Sequence, residues 1–273
     1  MKAIPDTLGV ARSNLVEAAR GQRRPRQPYR KAGDAERLAA LRRLVDERPT
    51  YGYRRLAALL NRERRTRGEP PVNGKRVLRV LRTAGLTLQA HTARRPGRTH
   101  DGAVVALRSN VRWCSDHCEI AGRDGSIVRV LFAIDACDRE ILGWHATTAG
   151  ISGEMVRDLM VACVERRFET TRATHPVEWL SDNGAAYRAK DTLDTATGLG
   201  LRLAFTPACS PESNGIAEAF VKTLKRDYAR VSLLPNAQTI LGLVAAWIED
   251  YNTSHPHSGL RMLSPQEFRA RCA

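Results

Sequence analysis

The first part of the chain carries leucine and valine at helical spacing. The pattern predicts three short helices, the first from about Asp34 to Arg48. The second begins near Tyr53, and the third opens at Asn73 and stops at Gly85. Asparagine is a favoured residue at a helix start and glycine just beyond a helix end. These segments therefore predict a small all-α domain.

Beyond residue 110 the pattern changes to runs of alternating and continuous apolar residues that are typical of strands. The predicted strands are Arg112 to Ile120, Ile127 to Asp135, Glu140 to Thr147, Val177 to Ser181 and Leu201 to Phe205. The predicted helices are Ser152 to Phe168, Ala189 to Thr197, Asn214 to Arg230 and Ala237 to Tyr251. Three adjacent strands followed by alternating helices and strands indicate an α/β fold with a mixed central sheet.

The 42% of hydrophobic residues is ordinary for a protein with a core, so charge is the feature of the composition that indicates a partner. The 273 residues carry a formal net charge of +15, which favours nucleic acid as the partner. The start of the chain has no apolar signal sequence, and the longest apolar run, Thr239 to Ile248, is too short to cross a bilayer. The 6 cysteines form no CxxC pair. We therefore expect a cytoplasmic protein without a disulfide framework.

The positive charge is confined to one half of the chain. Residues 1–110 hold 26 Lys and Arg against 9 Asp and Glu, a net charge of +17, whereas residues 111–273 hold 18 against 20, a net charge of −2. We predict a basic arm over residues 1–33, a helical domain over 34–96, a linker over 97–109 and an α/β domain over 110–273.

The third predicted helix has arginines on one side. Arg76, Arg79 and Arg82 are spaced three apart and so share a face. Such a helix at the end of a compact bundle is typical of a helix-turn-helix domain that enters a DNA groove. A solvated basic face on a small bundle fits the same residues equally well, so both interpretations stay open.

Three acidic residues fall where carboxylates are unusual. Asp116 shares a face of the first strand with Cys118, and a lone carboxylate in a core-facing row costs several kcal/mol unless it is paired or binds a metal. Asp182 closes a strand before a tight turn, and Glu218 lies on a helix. Taken singly, a turn-capping role for Asp182 and an ion pair of Glu218 with Lys222 are the simpler interpretations.

Taken together, the three acids predict a site for two divalent cations. Such ions, about 3.5–4 Å apart, activate a water or a 3′-hydroxyl and stabilise the leaving oxygen of a phosphodiester. Ligands that offer only oxygen favour Mg²⁺ or Mn²⁺ over zinc. Lys225 follows Glu218 by two helical turns on the same face, where it would hold a phosphate near the metal ions.

The chain resembles a known family, the DDE transposases of the retroviral-integrase type from insertion sequences of family three. Within this family it is most similar to the second-frame product of the insertion sequence two subgroup. The motifs that carry the resemblance are Pro49-Thr-Tyr-Gly-Tyr-Arg-Arg55, Asn73-Gly-Lys-Arg-Val77, Trp113-Cys-Ser-Asp116, Ala133-Ile-Asp-Ala-Cys-Asp-Arg139, Leu180-Ser-Asp-Asn-Gly184, Ser210-Pro-Glu-Ser-Asn-Gly-Ile-Ala-Glu218 and Tyr251-Asn with His255-Pro-His-Ser. Together they cover nearly the whole chain in a fixed order.

The resemblance implies an RNase H-like mixed five-stranded sheet with flanking helices, preceded by a helix-turn-helix domain over residues 34–96. It implies that Asp116, Asp182 and Glu218 are catalytic and bind two Mg²⁺ or Mn²⁺ ions. The residues expected to contact DNA are Lys225, Lys222, Asn214, Arg76, Arg79 and Arg82. The implied reaction is cleavage at insertion-sequence ends and transfer of the 3′-OH into target DNA.

The resemblance also bears on partners. The family implies a homo-oligomer on terminal inverted repeats and target DNA, and the active enzyme is often a fusion with an upstream-frame product. A DNA-binding regulator, or a subunit that is inactive without that product, is the alternative function, and a general RNase H-like nuclease is a third. His255 and His257 form an HxH pair, for which a turn packed against the core is favoured over a metal site.

Overall fold

The computed structural model describes residues 32–89, 106–206 and 214–272, together with Val16 and Ala19. Almost all of the predicted basic arm, most of the predicted linker and the segment 207–213 lie outside these residues. Within the described part of the chain, no helix is long and apolar enough to span a membrane.

Three helices form the predicted small helical domain. They are α1 (Asp34–Glu47), α2 (Tyr53–Thr66) and α3 (Gly74–Thr83). Their apolar faces meet in one buried cluster that includes Leu41, Leu44, Leu56, Leu60, Val77 and Leu81. The predicted start of α3 is confirmed, because the Asn73 side chain accepts a hydrogen bond from the backbone N–H of Lys75 at 2.8 Å.

The second domain is built on a five-stranded mixed sheet, as the sequence predicts. The strands are β1 (Arg112–Ala121), β2 (Ile127–Asp135), β3 (Ile141–Thr147), β4 (Val177–Ser181) and β5 (Leu201–Phe205). Their order across the sheet is β3-β2-β1-β4-β5. The pairs β1–β2 and β2–β3 are antiparallel, whereas β1–β4 and β4–β5 are parallel. The strand β1 is therefore central and joins the two halves.

Helices cover both faces of the sheet. They are α4 (Gly153–Phe168), α5 (Ala185–Arg188), α6 (Lys190–Gly198), α7 (Gly215–Thr223), α8 (Ala237–Thr253) and α9 (Pro265–Cys272). On one face Phe220 of α7 and Ile248 of α8 join the core that contains Phe132. On the other face Leu159 of α4 packs into the core around Trp113. The short helices α5 and α9 were not predicted.

The predicted helix from Asn214 to Arg230 is present, but its second half is not α-helical. The α-helical part ends at Thr223, and a π-helical turn, Leu224–Tyr228, and a 3₁₀ turn, Ala229–Val231, follow. The physical reason is that Asp227 and Tyr228 are both drawn into buried positions, with 6% and 4% of their surface exposed. A π turn widens the helix by one residue and is frequent at functional sites.

Candidate active site

Asp116 lies on β1, in the middle of the sheet. Its neighbours along the same face of the strand, Cys114 and Cys118, are buried, and Asp116 itself is half-buried, which agrees with the period-two pattern. One carboxylate oxygen, Oδ1, accepts a hydrogen bond from the backbone N–H of His117 at 2.7 Å. The other oxygen remains available to the groove beside the strand.

Asp182 directly follows β4, the parallel neighbour of β1. In the ladder between these strands, Cys114 is paired with Leu180. Asp116 comes two residues after Cys114, and the exposed Asp182 comes two residues after Leu180. The two aspartates are therefore equally far along the chain from this pair. The Oδ1 atom of Asp182 accepts a hydrogen bond from the N–H of Gly184 at 3.0 Å, which is the predicted turn contact. This contact engages one of its two oxygens.

Glu218 approaches Asp116 from α7. The two carboxylates line one open groove of about 510 Å³, together with Val221, Lys222 and Lys225. The predicted ion pair is present, because Lys222 Nζ lies 3.0 Å from Glu218 Oε2 on the exposed rim. Lys225 is half-buried in the same groove, so the structure brings it together with Asp116 and Glu218 as the sequence predicts.

The three acids share one electrostatic environment. Burial raises the pKa of Asp116, and the negative charges of Asp182 and Glu218 raise that pKa further. Among the described residues, no three His, Cys, Asp or Glu side chains already stand at metal-binding distance from one another. Carboxylate oxygens that repel one another beside an open groove are the donors that a divalent cation of the Mg²⁺ type prefers.

The backbone beside Asp116 is held by contacts that the sequence reasoning missed. The buried Ser115 hydroxyl donates to the carbonyl of Phe132 at 3.0 Å and lies 2.8 Å from the Tyr187 hydroxyl. Asn214 Nδ2 donates to the carbonyl of Ser115 at 3.2 Å. A serine directly before Asp116 in the first strand was the only available signal of this arrangement.

Asn214 was predicted to contact DNA. The structure places its side chain in a buried position, 7% exposed, against β1. Its Oδ1 atom has no hydrogen-bond partner among the described residues. The side chain therefore supports the strand that carries Asp116, and its contact with DNA stays a prediction.

The arginines of α3 lie on the helical domain and take no part in the groove. Arg76 Nε donates to Asp34 Oδ1 at 2.8 Å, and Arg79 NH2 donates to Asp34 Oδ2 at 2.7 Å. Arg82 is exposed. Two of the three predicted DNA-contacting arginines thus share the charge of one aspartate of α1, and their role in DNA binding stays a prediction.

Comparisons with known proteins agree with this architecture. Residues 106–211 and residues 199–265 match models of an integrase core domain, and residues 32–95 match an HTH-like domain. Over 240 residues the chain is 46% identical to the transposase InsD for insertion element IS2 of Escherichia coli. The aligned region covers 88% of this chain and 80% of that protein. It is 58% identical over 184 residues to an uncharacterized protein of insertion element IS136 of Agrobacterium fabrum, which covers 67% of this chain and 94% of that protein.

Two solved structures show weaker likeness. A chain of the simian T-cell lymphotropic virus intasome, in complex with PP2A regulatory subunit B56 gamma, matches with a TM-score of 0.49 and 14% identity over 72% of this chain and 66% of that chain. The catalytic core domain of BIV integrase matches with a TM-score of 0.41 and 16% identity over 60% of this chain and 95% of that chain.

The integrase core and the HTH-like domain together span most of the described residues. The identity to the IS2 transposase extends through both of them and over most of each chain. This chain therefore belongs to the DDE transposases of insertion sequence family three, of the same type as the IS2 transposases.

Proposed function

We propose that the chain cleaves DNA at the ends of its insertion sequence and joins the resulting 3′-OH to target DNA, with Asp116, Asp182 and Glu218 as the catalytic carboxylates. The observation that carries this proposal is the convergence of the three acids from two adjacent parallel strands and one facing helix. The carboxyl ends of parallel strands are where open α/β sheets place their ligands.

Integrase-type cores depend on divalent metal ions, and the residues of this groove fit them. The oxygens of Asp116, Asp182 and Glu218 would hold two Mg²⁺ or Mn²⁺ ions, because Asp116 and Glu218 line the groove and Asp182 lies near enough for its charge to act on Asp116. When bound, such ions activate the attacking water or 3′-hydroxyl and stabilise the leaving oxygen. Burial raises the pKa of Asp116, and the charges of Asp182 and Glu218 raise it further; that repulsion would be relieved if the acids shared positive charge.

The two lysines of α7 and its continuation bind the DNA strand that enters the groove. Lys225 contacts a phosphate beside the reacting bond, since its side chain lines the groove with Asp116 and Glu218. Lys222 is 72% exposed at the rim and holds Glu218 Oε2 in the present arrangement. Engagement of Glu218 by a cation frees Lys222 for a second phosphate.

The helical domain holds the DNA while the groove performs the reaction. The net charge of +17 over residues 1–110 supports this division, because phosphate contacts supply most of the affinity of such domains. We further propose that the chain works as a homo-oligomer on terminal inverted repeats and target DNA, alone or joined to an upstream-frame product. The resemblance to second-frame transposases supports this assembly.

The test is end processing by the purified chain, alone and fused to its upstream reading frame, on labelled duplexes from the ends of its element. We expect cleavage and joining that require Mg²⁺ or Mn²⁺. Asp182→Asn should abolish both reactions and leave DNA binding intact, because it removes a ligand charge and no fold contact except the turn to Gly184.

Asp194→Asn is the matched control, since Asp194 is an exposed aspartate on α6 outside the groove. It should react at the rate of the unaltered chain. If Asp182→Asn still cleaves or joins ends, the assignment of the metal site is wrong. Activity that appears only in the fusion would assign the isolated chain the role of an incomplete subunit.

A further inference from the structure

A cluster of buried polar contacts joins the helical domain to the catalytic domain. Arg48 NH1 donates to Asp250 Oδ2 at 2.8 Å, and the Tyr51 hydroxyl lies 2.7 Å from His255 Nδ1. The residues come from the turn before α2 and from the end of α8, about 200 positions apart in the chain. Together with a third contact, between Arg55 and Asp227, these residues form what we call the junction cluster. Its members are Arg48, Tyr51, Arg55, Asp227, Asp250 and His255.

The third contact of the junction cluster reaches the π turn that continues α7. Arg55 NH1 donates to Asp227 Oδ2 at 2.9 Å, and the Asp227 side chain is only 1% exposed. Burial opposes ionisation of this carboxyl, but the hydrogen bonds from Arg226 and the charge of Arg55 outweigh it, so the pKa of Asp227 lies below its ordinary value. A buried carboxylate that loses one cationic partner is strongly destabilised. Arg55 thus shares with Arg226 the balancing of a buried charge in the π turn, and Arg55 is the partner that comes from the helical domain.

Aromatic rings extend these contacts into the catalytic core. The Tyr51 and His255 ring centroids are 5.4 Å apart, and the His255 ring stacks on Tyr251 at 5.5 Å. Tyr251 meets Phe220 edge to face at 4.8 Å, and Phe220 meets Phe132 at 4.6 Å. Close-packed rings of this kind transmit a displacement because the interior holds little free volume. The HxH pair is thus part of a packed turn, as the sequence favoured, since His255 is 1% exposed.

The last two rings of this aromatic path adjoin the acids. Phe220 lies two residues after Glu218 on α7, and Phe132 is the direct cross-strand partner of Asp116 in the β1–β2 ladder. The helical domain therefore reaches this helical segment by two routes: indirectly at Phe220 of α7, through His255 and Tyr251, and directly at Asp227 of the π turn.

From these contacts we infer that Arg55 and Tyr51 are positioning residues of the active site. Docking of the helical domain sets the placement of α7, and with it the distance of Glu218 and Lys225 from Asp116. The inference rests on the proposed function, because it assigns a purpose to the placement of Glu218. Its consequence is that the distance between the catalytic groove and the DNA held by the helical domain is fixed.

The experiment compares Arg55→Gln with Arg55→Lys in the full chain, by single-turnover rate on labelled end DNA and by the Kd for the same DNA. Arg55→Gln should lower the rate by about 100-fold, the size of effect that a misplacement of about 1 Å produces. The Kd should not change, because the DNA-contacting surface is intact. Arg55→Lys keeps a cation at Asp227 and should recover most of the rate.

The matched control is Arg62→Gln. Arg62 also lies on α2 and also crosses between the domains, where it donates to the carbonyl of Ser254 at 2.9 Å and pairs with Glu267, but it does not touch the π turn. Its loss should leave the rate nearly unchanged. An equal loss of rate in Arg62→Gln and Arg55→Gln would overturn the assignment and indicate a general loss of docking.

A second variant distinguishes a positioning effect from misfolding. A second measurement keeps the test informative if the protein does not process DNA. Tyr51→Phe keeps the ring and removes only the hydroxyl at His255, so it should fold and lose part of the rate. Titration with Mn²⁺, followed by electron paramagnetic resonance without DNA, should show weaker binding in Arg55→Gln and unchanged binding in Arg62→Gln. Unaltered Mn²⁺ affinity in Arg55→Gln overturns the inference. If the unaltered chain binds Mn²⁺ but processes DNA neither alone nor in the fusion, the proposed function is overturned instead.

Discussion

Asp116 on β1 and Asp182 directly after β4 lie at equivalent positions relative to the parallel ladder, because each follows by two residues one member of the pair Cys114 and Leu180. Neighbouring strands lie about 4.8 Å apart, so the ladder itself brings the two carboxylates close to each other. Glu218 joins them from α7, which packs against the sheet through Phe220. Two of the three acids are thus placed by backbone pairing and the third by side-chain packing.

The repulsion among the acids predicts a gain in stability when one charge is removed. A carboxyl whose pKa is raised by folding, as that of Asp116 is, contributes stability that is complete below the unfolded pKa and is lost as the pH rises through the folded pKa. In metal-free buffer at neutral pH, Asp116→Asn should therefore raise Tm, by about 2–4 °C if the relief is about 1 kcal/mol.

Thermal unfolding in EDTA across a pH series checks this expectation. The difference in Tm between Asp116→Asn and the unaltered chain should vanish at pH values below the ordinary pKa of an aspartate. Added Mg²⁺ should raise the Tm of the unaltered chain and leave that of Asp116→Asn unchanged. A lower Tm for Asp116→Asn at neutral pH would show that the carboxylate is compensated by the fold.

The arginines of α3 should contribute unequally to DNA binding. Arg79 is tied to Asp34 at 2.7 Å, whereas Arg82 is exposed. If Arg82 contacts a phosphate, Arg82→Gln should lower the slope of log K against log salt by about 0.9. Arg79→Gln should lower it by less, since Asp34 already balances part of its charge.

Fluorescence anisotropy with end DNA over a series of salt concentrations gives these slopes. Arg43→Gln is a suitable control, because Arg43 pairs with Glu47 and Glu63 on the exposed surface of the same domain. Slopes that stay the same in all three variants would move the phosphate contacts elsewhere, with the basic segment 21–31 as the next candidate.

The motif Asp-Ala-Cys-Asp-Arg after β2 supplies a prediction about stability. Arg167 of α4 donates to Asp138 at 3.0 Å and lies 3.3 Å from Glu140, and all three side chains are at most 2% exposed. Arg167→Met leaves two buried carboxylates without this partner, which should cost about 3–5 kcal/mol in the free energy of unfolding.

Urea unfolding measures that cost. Arg43→Met removes an ion pair whose members are about half exposed and should cost at most about 1 kcal/mol. A cost for Arg167→Met as small as that for Arg43→Met would mean that Arg166 and Arg269, which also contact Glu140, compensate for the loss.

The parts of the fold that follow from local pattern could be predicted from the sequence. Alternation of apolar residues along a strand determines which side chains share a face. The position of Asp116 on the same face as the buried Cys118 could therefore be predicted from the sequence. The start of α3 was equally local, since Asn73 caps it through its own side chain. Each of these features depends on residues only a few positions apart.

Contacts between distant segments could not be predicted in this way. Nothing near Arg55 in the sequence indicates Asp227, which lies 172 residues away, and the contact is decided by how two domains pack. The π turn escaped prediction for a related reason. Over a single turn, the sequence pattern of an α-helix and that of a π-helix look alike. Here the π turn is the one that accompanies the burial of Asp227.

The π turn also limits how the length of this region can vary in related chains. A π turn contains one residue more than a regular α-helical turn needs. Deletion of a single residue within the π turn would let the segment close into an ordinary helix, and the residues beyond the turn would keep their faces. A single insertion into the regular helix α7 would instead rotate everything beyond it by about 100°, and Asp227 would then face away from Arg55. The segment between Glu218 and Asp227 should therefore tolerate insertion far less than deletion within the π turn, even where substitutions are accepted.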